Sequence, residues 1–357
     1  MIVAYALHLV GGTERSIINL ANGLADENYE VILISLVNSG ESTSFALHQN
    51  INLIRLNILG KFVSTFGRIL ALPGVLLSIR HNILKHKSDR VICFGEKMNI
   101  LIVLSLLFNK TRLILSENYP PGIHYINPLW RLLRSLTYRK AWNITVLTPD
   151  DIDYFHKGVR NKVISIPNII NNPGRRKDLN FKSKVVIAIG RLDVVKRYDL
   201  LINAFSIVGK KYPDWKLEIW GEGPMKNELN EQIKKLDLES SVLLKGVTKD
   251  IYPELLRANF LVLSSQYESF GYVICEAMSV GIPVVSFDCP SGPRHIIRHN
   301  VDGLLIPFGD TEELANGIIK LIEEEGLRIE MGNKALDVLN RFSTKSIISE
   351  WSKLLSD

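Results

Sequence analysis

Two glutamates eight positions apart, Glu268 and Glu276, stand in the segment Gln266–Glu276, QYESFGYVICE. The run Phe260–Leu263 just before it reads as a strand, and Ser269-Phe270-Gly271 reads as the opening of a helix. Gly271 permits a tight turn of the backbone at that point. The N–H groups of the first helical turn are then free to meet an anion at the end of the strand. Glu268 lies before the helix and Glu276 within it, so the two carboxylates reach different parts of one elongated ligand. A helix-capping carboxylate followed by a surface glutamate has the same spacing, and spacing alone leaves both readings open.

A second group with chemical potential comes earlier. Gly190-Arg191-Leu192 directly follows the strand-like run Val185–Ile189, and Lys196 follows in the same loop. Two cations at a strand end suit a diphosphate, arginine binding bidentately and lysine as a point charge. A solvated basic loop is the plainer alternative. Two further strand-end loops are Gly221-Glu222-Gly223-Pro224 and Asp288-Cys289-Pro290-Ser291-Gly292-Pro293. The first offers close backbone approach to a nucleotide or is a simple turn; the second offers backbone amides.

These loops need strands and helices to hold them. In the first half, strand candidates are Ile2–Leu7, Glu30–Leu36, Ile51–Leu56, Arg90–Phe94, Thr111–Leu115, Ile144–Leu147 and Val163–Ile166, with helical periods at Glu14–Ala25, Phe62–His86 and Leu129–Ala141. Pro73-Gly74 divides the second of these, so two helices are expected there. Residues 170–183, rich in Asn, Gly, Pro and charge, read as a linker. The alternation then restarts with strands at Lys184–Ile189, Lys216–Trp220, Ser241–Lys245, Phe260–Leu263, Pro283–Phe287 and Gly303–Pro307. Helices are expected at Tyr198–Lys210, Pro224–Leu236, Ile251–Arg257, Gly271–Ser279, Pro293–Arg298 and Thr311–Glu325, then at about 327–342 and 344–356. Strands alternating with helices imply parallel sheets. The expected fold class is α/β, two Rossmann-like domains facing a cleft, with ligand at the carboxyl ends of the strands.

Taken together, Gly190-Arg191-Leu192 with Lys196, the GEGP turn, the E-x7-E pair and the stretch EAMSVGIPVVSFDCPSGP resemble glycosyltransferase family 4, retaining nucleotide-sugar enzymes of the GT-B fold. Gly11-Gly12-Thr13-Glu14-Arg15, at the first strand–helix turn, is similar to that family's GG-x-E-R loop. The likeness is strong over about 184–325, fair over 1–36 and weak between. It implies a domain at 1–170 that meets the acceptor, a donor domain at 183–342, and a last helix, about 343–357, that returns to the first domain. By the same resemblance Arg191 and Lys196 hold the donor diphosphate, Glu276 binds the ribose and Glu268 contacts sugar hydroxyls. Gly190, Gly221, Gly223 and the Phe270 and Gly271 amides line the donor, and Gly12 lets the first loop approach its phosphates. No cofactor and no metal is implied, because the two cations take the metal's place. His295 stands where the family often has Glu. At the strand end that would face the acceptor the chain reads Ser116-Glu117-Asn118-Tyr119-Pro120, so Glu117, Asn118 and His124 are the candidates there; His8 is a further histidine that fits a structural role. The FDCPSGP loop is similar to members using galactose-type donors, which implies transfer of a hexose or N-acetylhexosamine from a UDP-sugar to a polyprenyl-diphosphate-linked or glycan acceptor. Lipopolysaccharide O-antigen or capsule assembly is the implied pathway.

Composition bounds the alternatives. The 357 residues exceed one ordinary core, and 46% hydrophobic with 22% charged residues is globular composition. Three scattered cysteines, Cys93, Cys275 and Cys289, make no disulfide framework. The net charge of +6 is uneven: residues 1–172 hold 18 basic and 11 acidic side chains, and the remainder 25 and 26. A basic first half suits an anionic partner, nucleic acid or a membrane surface. The tracts Gly67–Lys87 and Trp130–Trp142 mix apolar and basic residues as an anionic membrane surface would require, although any Rossmann helix also needs an apolar face. The longest apolar run, Ile100–Phe108, is about half of the roughly 20 residues a spanning helix needs. With no signal-peptide pattern at the start, a cytoplasmic chain peripheral at the inner membrane face is expected. A nucleotide-sugar epimerase of the same architecture is disfavoured by E-x7-E, and a nucleic-acid-binding protein by the lack of interleaved aromatics on a basic strand face. A dehydrogenase is disfavoured because no G-x-G-x-x-G follows the first strand.

Overall fold

A computed structural model of the chain describes residues 1–8, 11–37, 43, 45–58, 65–120, 127–178 and 183–356, and of 65–70 the backbone only. It divides into two units, Met1–Ile169 with Thr344–Asp357, and Ile170–Ser343.

The first unit carries strands β1 (Ile2–Ala4), β2 (Ile32–Ser35), β3 (Asn52–Arg55), β4 (Arg90–Phe94), β5 (Arg112–Ser116), β6 (Asn143–Val146) and β7 (Val163–Ser165). They form one sheet in the order β3-β2-β1-β4-β5-β6-β7, and every pairing is parallel. Its helices are α1 (Gly12–Asp26), α2 (Thr65–Lys85), α3 (Glu96–Ser105), α4 (Pro128–Thr137) and the single turn α5 (Lys157–Arg160). In the second unit β8 (Val185–Ile189), β9 (Lys216–Trp220), β10 (Val242–Gly246), β11 (Phe260–Leu263), β12 (Val284–Asp288) and β13 (Gly303–Pro307) form a parallel sheet ordered β10-β9-β8-β11-β12-β13. Its helices are α6 (Tyr198–Lys211), α7 (Lys226–Lys235), α8 (Tyr252–Arg257), α9 (Tyr272–Ser279), α10 (Gly292–Ile296), α11 (Thr311–Glu323), α12 (Glu325–Ala335) and α13 (Val338–Arg341). The last helix, α14 (Thr344–Ser356), belongs to the first unit, where it packs on α1 through buried Ile347, Ile348 and Trp351.

Helices cover both faces of a parallel sheet, so its strands are apolar nearly throughout. VVIAI in β8 and FLVL in β11 are buried on both sides, as are Val91, Ile92, Cys93, Leu113, Ile114 and Leu115 in the first sheet. Strand order reverses at β1/β4 and at β8/β11. At such switch points neighbouring loops leave in opposite directions and open a crevice at the carboxyl edge. The loops after β8 and β11 are those that carry Arg191, Lys196 and Glu268.

The structure corrects two sequence expectations and adds a helix, α3, that the sequence pattern does not reveal. The Pro73 stretch is one helix of 21 residues. Leu72, Pro73 and Gly74 are all exposed, so the helix carries its proline on a solvent-facing turn. Helix α3 lacks the amphipathic period that would reveal it, because Met98, Ile100, Ile102 and Val103 are all buried around its circumference. The pattern at 327–342 is broken into α12 and α13, and Arg298 holds the break by donating to the Lys334 carbonyl at 3.1 Å and pairing with Asp337 at 3.0 Å.

Candidate active site

The loop after β8 begins at Gly190 and is shaped by its own side chains. Asp193 accepts hydrogen bonds from the N–H groups of Val195 (3.1 Å) and Lys196 (3.3 Å), which winds a short turn at Val194–Lys196. Arg197 then takes a left-handed backbone, φ 48°, and its guanidinium grips Asp199 at 3.0 and 2.8 Å as α6 begins. Three contacts tie this loop to the one after β11. Ser264 Oγ donates to the Lys196 carbonyl (2.8 Å), the Gln266 N–H donates to the Val195 carbonyl (2.7 Å), and Lys196 Nζ donates to Glu268 Oε1 (2.5 Å). The same Glu268 oxygen accepts from Ser265 Oγ at 2.7 Å. The pair is mostly shielded, with Lys196 20% and Glu268 12% exposed, so water screens it weakly. Arg191, at 72%, reaches into solvent with Asp193 at 3.9 Å. Burial, reinforced by the charges of Glu268 and Asp193, pushes the Tyr198 phenol up and keeps it protonated behind this loop.

Gly221 and Gly223 do their work on the backbone of the neighbouring loop. A Cβ on Gly221 would lie 1.9 Å from the Gly190 carbonyl oxygen, and one on Gly223 would lie 2.3 Å from that of Leu192. The absent side chains allow Gly190 N–H to reach Trp220 O (2.9 Å) and Leu192 N–H to reach Glu222 O (3.0 Å). These glycines therefore seat the Arg191 loop on the edge of the sheet.

On the other side, the DCPSGP loop joins Glu268 by backbone: Gly292 N–H donates to the Glu268 carbonyl at 2.9 Å. Cys289 lies close enough for the charge of Glu268 to raise its thiol, which burial chiefly pushes up to about 12. Gly271, φ 96°, caps α9. Phe270 turns its ring inward, edge-on to Tyr272 and Phe342 at 5.5 and 5.4 Å, so the backbone is what it can offer a ligand. Glu276 is half-buried in the second turn of α9, and His295 is half-buried in α10.

In the first unit Gly12 starts α1 and is exposed, with the first-turn amides of that helix beside it. Glu117 is turned inward, which corrects its expected place as a group held out to an acceptor. It is 4% exposed, accepts a hydrogen bond from the Tyr138 hydroxyl and lies 3.7 Å from Arg134 Nε. Asn99 Nδ2 supports it by donating to the Tyr138 hydroxyl and the Ser116 carbonyl, each at 3.1 Å. Burial pushes the Glu117 carboxyl up to about 6 despite Arg134. Asn118 is also buried, its Oδ1 accepting from Ser116 Oγ at 3.4 Å. His124 lies outside the described residues.

The structure thus brings Gly190, Arg191, Lys196, Gly221, Gly223, Glu268 and Gly271 to one sheet edge. Sequence reasoning missed Asp193, Ser264, Ser265 and Tyr198 there. The Asp-x-x-Lys spacing was a usable sign of a side-chain-capped turn; Ser265 and Tyr198 carried none.

Two parallel Rossmann-like sheets, each with a strand-order switch point, and a terminal helix that belongs to the first unit make the GT-B architecture. Comparison with known proteins agrees. Residues 10–172 match the model for Glycosyltransferase Family 4, and residues 173–338 that for Glycosyl transferases group 1. An uncharacterized glycosyltransferase of Methanocaldococcus jannaschii is 32% identical over 341 residues, covering 79% of this chain and 84% of that protein. The amylovoran biosynthesis glycosyltransferase AmsD of Erwinia amylovora is 28% identical, covering 97% and 96%. The GalNAc-alpha-(1->4)-GalNAc-alpha-(1->3)-diNAcBac-PP-undecaprenol alpha-1,4-N-acetyl-D-galactosaminyltransferase of Campylobacter jejuni is 27% identical, covering 97% and 95%. Among solved structures, Anabaena HepE in complex with UDP and glucose shares the fold with a TM-score of 0.81 at 18% identity, covering 99% and 98%. The chain belongs to glycosyltransferase family 4 and is a transferase.

Proposed function

We propose that this glycosyltransferase moves a hexose or N-acetylhexosamine, galactose-type favoured, from a UDP-sugar with retention onto a polyprenyl-diphosphate-linked or glycan acceptor in cell-surface polysaccharide assembly. The observation that carries the donor half is the Lys196–Glu268 contact beside exposed Arg191 at the β8/β11 switch point. A diphosphate there meets two cations, and the sugar it carries meets a carboxylate. Support for the acceptor half comes from the amylovoran and undecaprenol-diphosphate relatives, and for retention from the alpha linkage in the name of the latter.

In the reaction, the bond from the anomeric carbon to the leaving phosphate oxygen breaks as the bond to the acceptor oxygen forms on the same face. The acceptor's proton passes to that leaving oxygen. Arg191 and Lys196 meet the charge that develops on the diphosphate, a role worth two to three orders of magnitude in comparable sites. In this reading the two cations serve without a metal, so turnover is expected to persist in excess EDTA.

No described helix is long and apolar enough to cross a membrane. For a membrane-carried acceptor the first unit offers α4, which exposes Leu129, Leu132 and Leu136 along one stripe beside exposed Arg131, with Arg139 and Lys140 following. Apolar residues flanked by cations suit the headgroup region of an anionic bilayer, and we assign the peripheral contact to this helix. The deciding experiment is a panel of nucleotide sugars with a polyprenyl-diphosphate glycan, reading released nucleotide and product mass. Release of UDP with one added hexose or N-acetylhexosamine is expected. Release of nothing from any donor would refute the proposal, and release of GDP alone would refute the choice of UDP.

A further inference from the structure

Lys196 and Glu268 hold each other, and that contact has a consequence for which ligand the site retains. Lys196 Nζ is 2.5 Å from Glu268 Oε1, and both side chains are shielded enough that the charges act on each other with little screening. A diphosphate draws on the same ammonium, and its negative charge is repelled by the same carboxylate. Ser265 Oγ, at 2.7 Å from that oxygen, gives Glu268 a second donor that does not depend on Lys196. Ser265 is itself 1% exposed, which fixes it in place.

We infer that Glu268 is an internal rival of the diphosphate for Lys196, and that it thereby discriminates the intact sugar donor from the spent nucleoside diphosphate. This rests on the reading of these loops as the donor site. A donor that carries its sugar compensates Glu268 for loosening its hold on Lys196, because sugar hydroxyls donate to the carboxylate. A bare nucleoside diphosphate has lost the transferred sugar and its hydroxyls, so Glu268 reclaims Lys196 and the product is released. The carboxylate weakens product binding and leaves donor binding nearly intact.

The test measures UDP binding by calorimetry to the whole chain and to its variants. Glu268→Gln keeps the shape and removes the charge; it is expected to bind UDP about 10-fold more tightly than wild type, the scale of one charge-assisted hydrogen bond. Placed on a Lys196→Met background, the same substitution is expected to change UDP affinity less than about threefold, because the contested ammonium is gone. Ser265→Ala supplies a second measurement: a carboxylate deprived of its other donor leans more fully on Lys196, and UDP affinity is expected to fall about threefold. The inference is overturned if Glu268→Gln binds UDP no more tightly than wild type, or if its gain survives unchanged without Lys196. Wild type that binds neither UDP, GDP nor ADP overturns the donor-site reading itself, and the inference with it.

Discussion

The carboxyl edges of the two sheets treat charge in opposite ways. In the second unit Lys196 and Glu268 sit on loops joined by backbone hydrogen bonds, shielded yet still reached by solvent, with Arg191 standing out beside them. In the first unit the polar groups after β5 are sealed. Glu117 is 4%, Asn99 0% and Tyr138 1% exposed, and Arg134 covers them by stacking over the Tyr138 and Phe155 rings. Around them Glu96 Oε1, Asn99 Oδ1, Asn118 Nδ2, Arg134 Nη2 and Thr145 Oγ1 are buried without a hydrogen-bond partner among the described residues. The first arrangement keeps charges available for exchange with a ligand. The second raises the cost of being charged, and the Glu117 carboxyl accordingly shifts toward its protonated form. One fold used twice can therefore carry an exchangeable ion pair at one sheet edge and a sealed network with a raised carboxyl at the other.

This contrast can be broken at several points. The largest effect is expected at Lys196: Lys196→Ala should lower kcat/KM at least 100-fold while circular dichroism and the melting transition stay near wild type. Near-normal turnover would remove Lys196 from the chemistry. Next, Gly221→Ala forces a Cβ onto the Gly190 carbonyl, and denaturant titration should show a loss of about 3 kcal/mol, the upper range for overpacking against backbone. A tolerated Ala there would mean the Arg191 loop is not seated as described.

The sealed network makes a pH-dependent prediction. Glu117 titrates near 6 in the folded protein against an ordinary 4.5, so the folded state binds more protons between those values. Its contribution to stability is fully present below pH 4.5 and is lost as pH rises through 6, by about 2 kcal/mol in all. Glu117→Gln lacks this slope. The melting temperature of the variant should therefore rise relative to wild type between pH 4.5 and 7, and parallel curves would show that burial does not perturb Glu117. The smallest effect is expected at exposed Arg191, where Arg191→Lys keeps the charge and loses the planar fork. A fall of about 10-fold in kcat/KM, mostly through KM for the donor, is expected from initial rates.

How much of this was legible beforehand differs between the two edges. Lys216–Trp220, Phe260–Leu263 and Gly303–Pro307 were read from their apolar runs with the bounds the structure shows. The loops after Val185–Ile189, Lys216–Trp220 and Phe260–Leu263 announced themselves through Gly, Arg, Lys and Glu at strand ends, where polar residues have little structural reason to gather. Glu117 announced itself in the same way and misled, because a strand-end glutamate looks alike whether it faces solvent or the core. The partners that turn it inward, Asn99, Arg134 and Tyr138, lie up to 21 residues away, two of them on helices α3 and α4. The concentration of positive charge in the first half was likewise visible. Its resolution into the exposed Leu129, Leu132 and Leu136 stripe of α4 was not, since helical period marks an apolar face without saying whether the sheet covers it.

By itself the sequence determined the α/β alternation, the division near residue 170, the family and the identity of the charged residues at the second sheet edge. Each depends on local pattern or on short motifs, and local pattern survives in one dimension. The tertiary structure alone decided that Lys196 and Glu268, 72 residues apart, share a hydrogen bond, that Ser265 bonds the same carboxylate oxygen, and that Gly221 serves the Gly190 carbonyl. Those facts follow from the β9-β8-β11 strand order, which sets three loops side by side. No spacing along the chain encodes which loops become neighbours; parallel pairing through crossovers does.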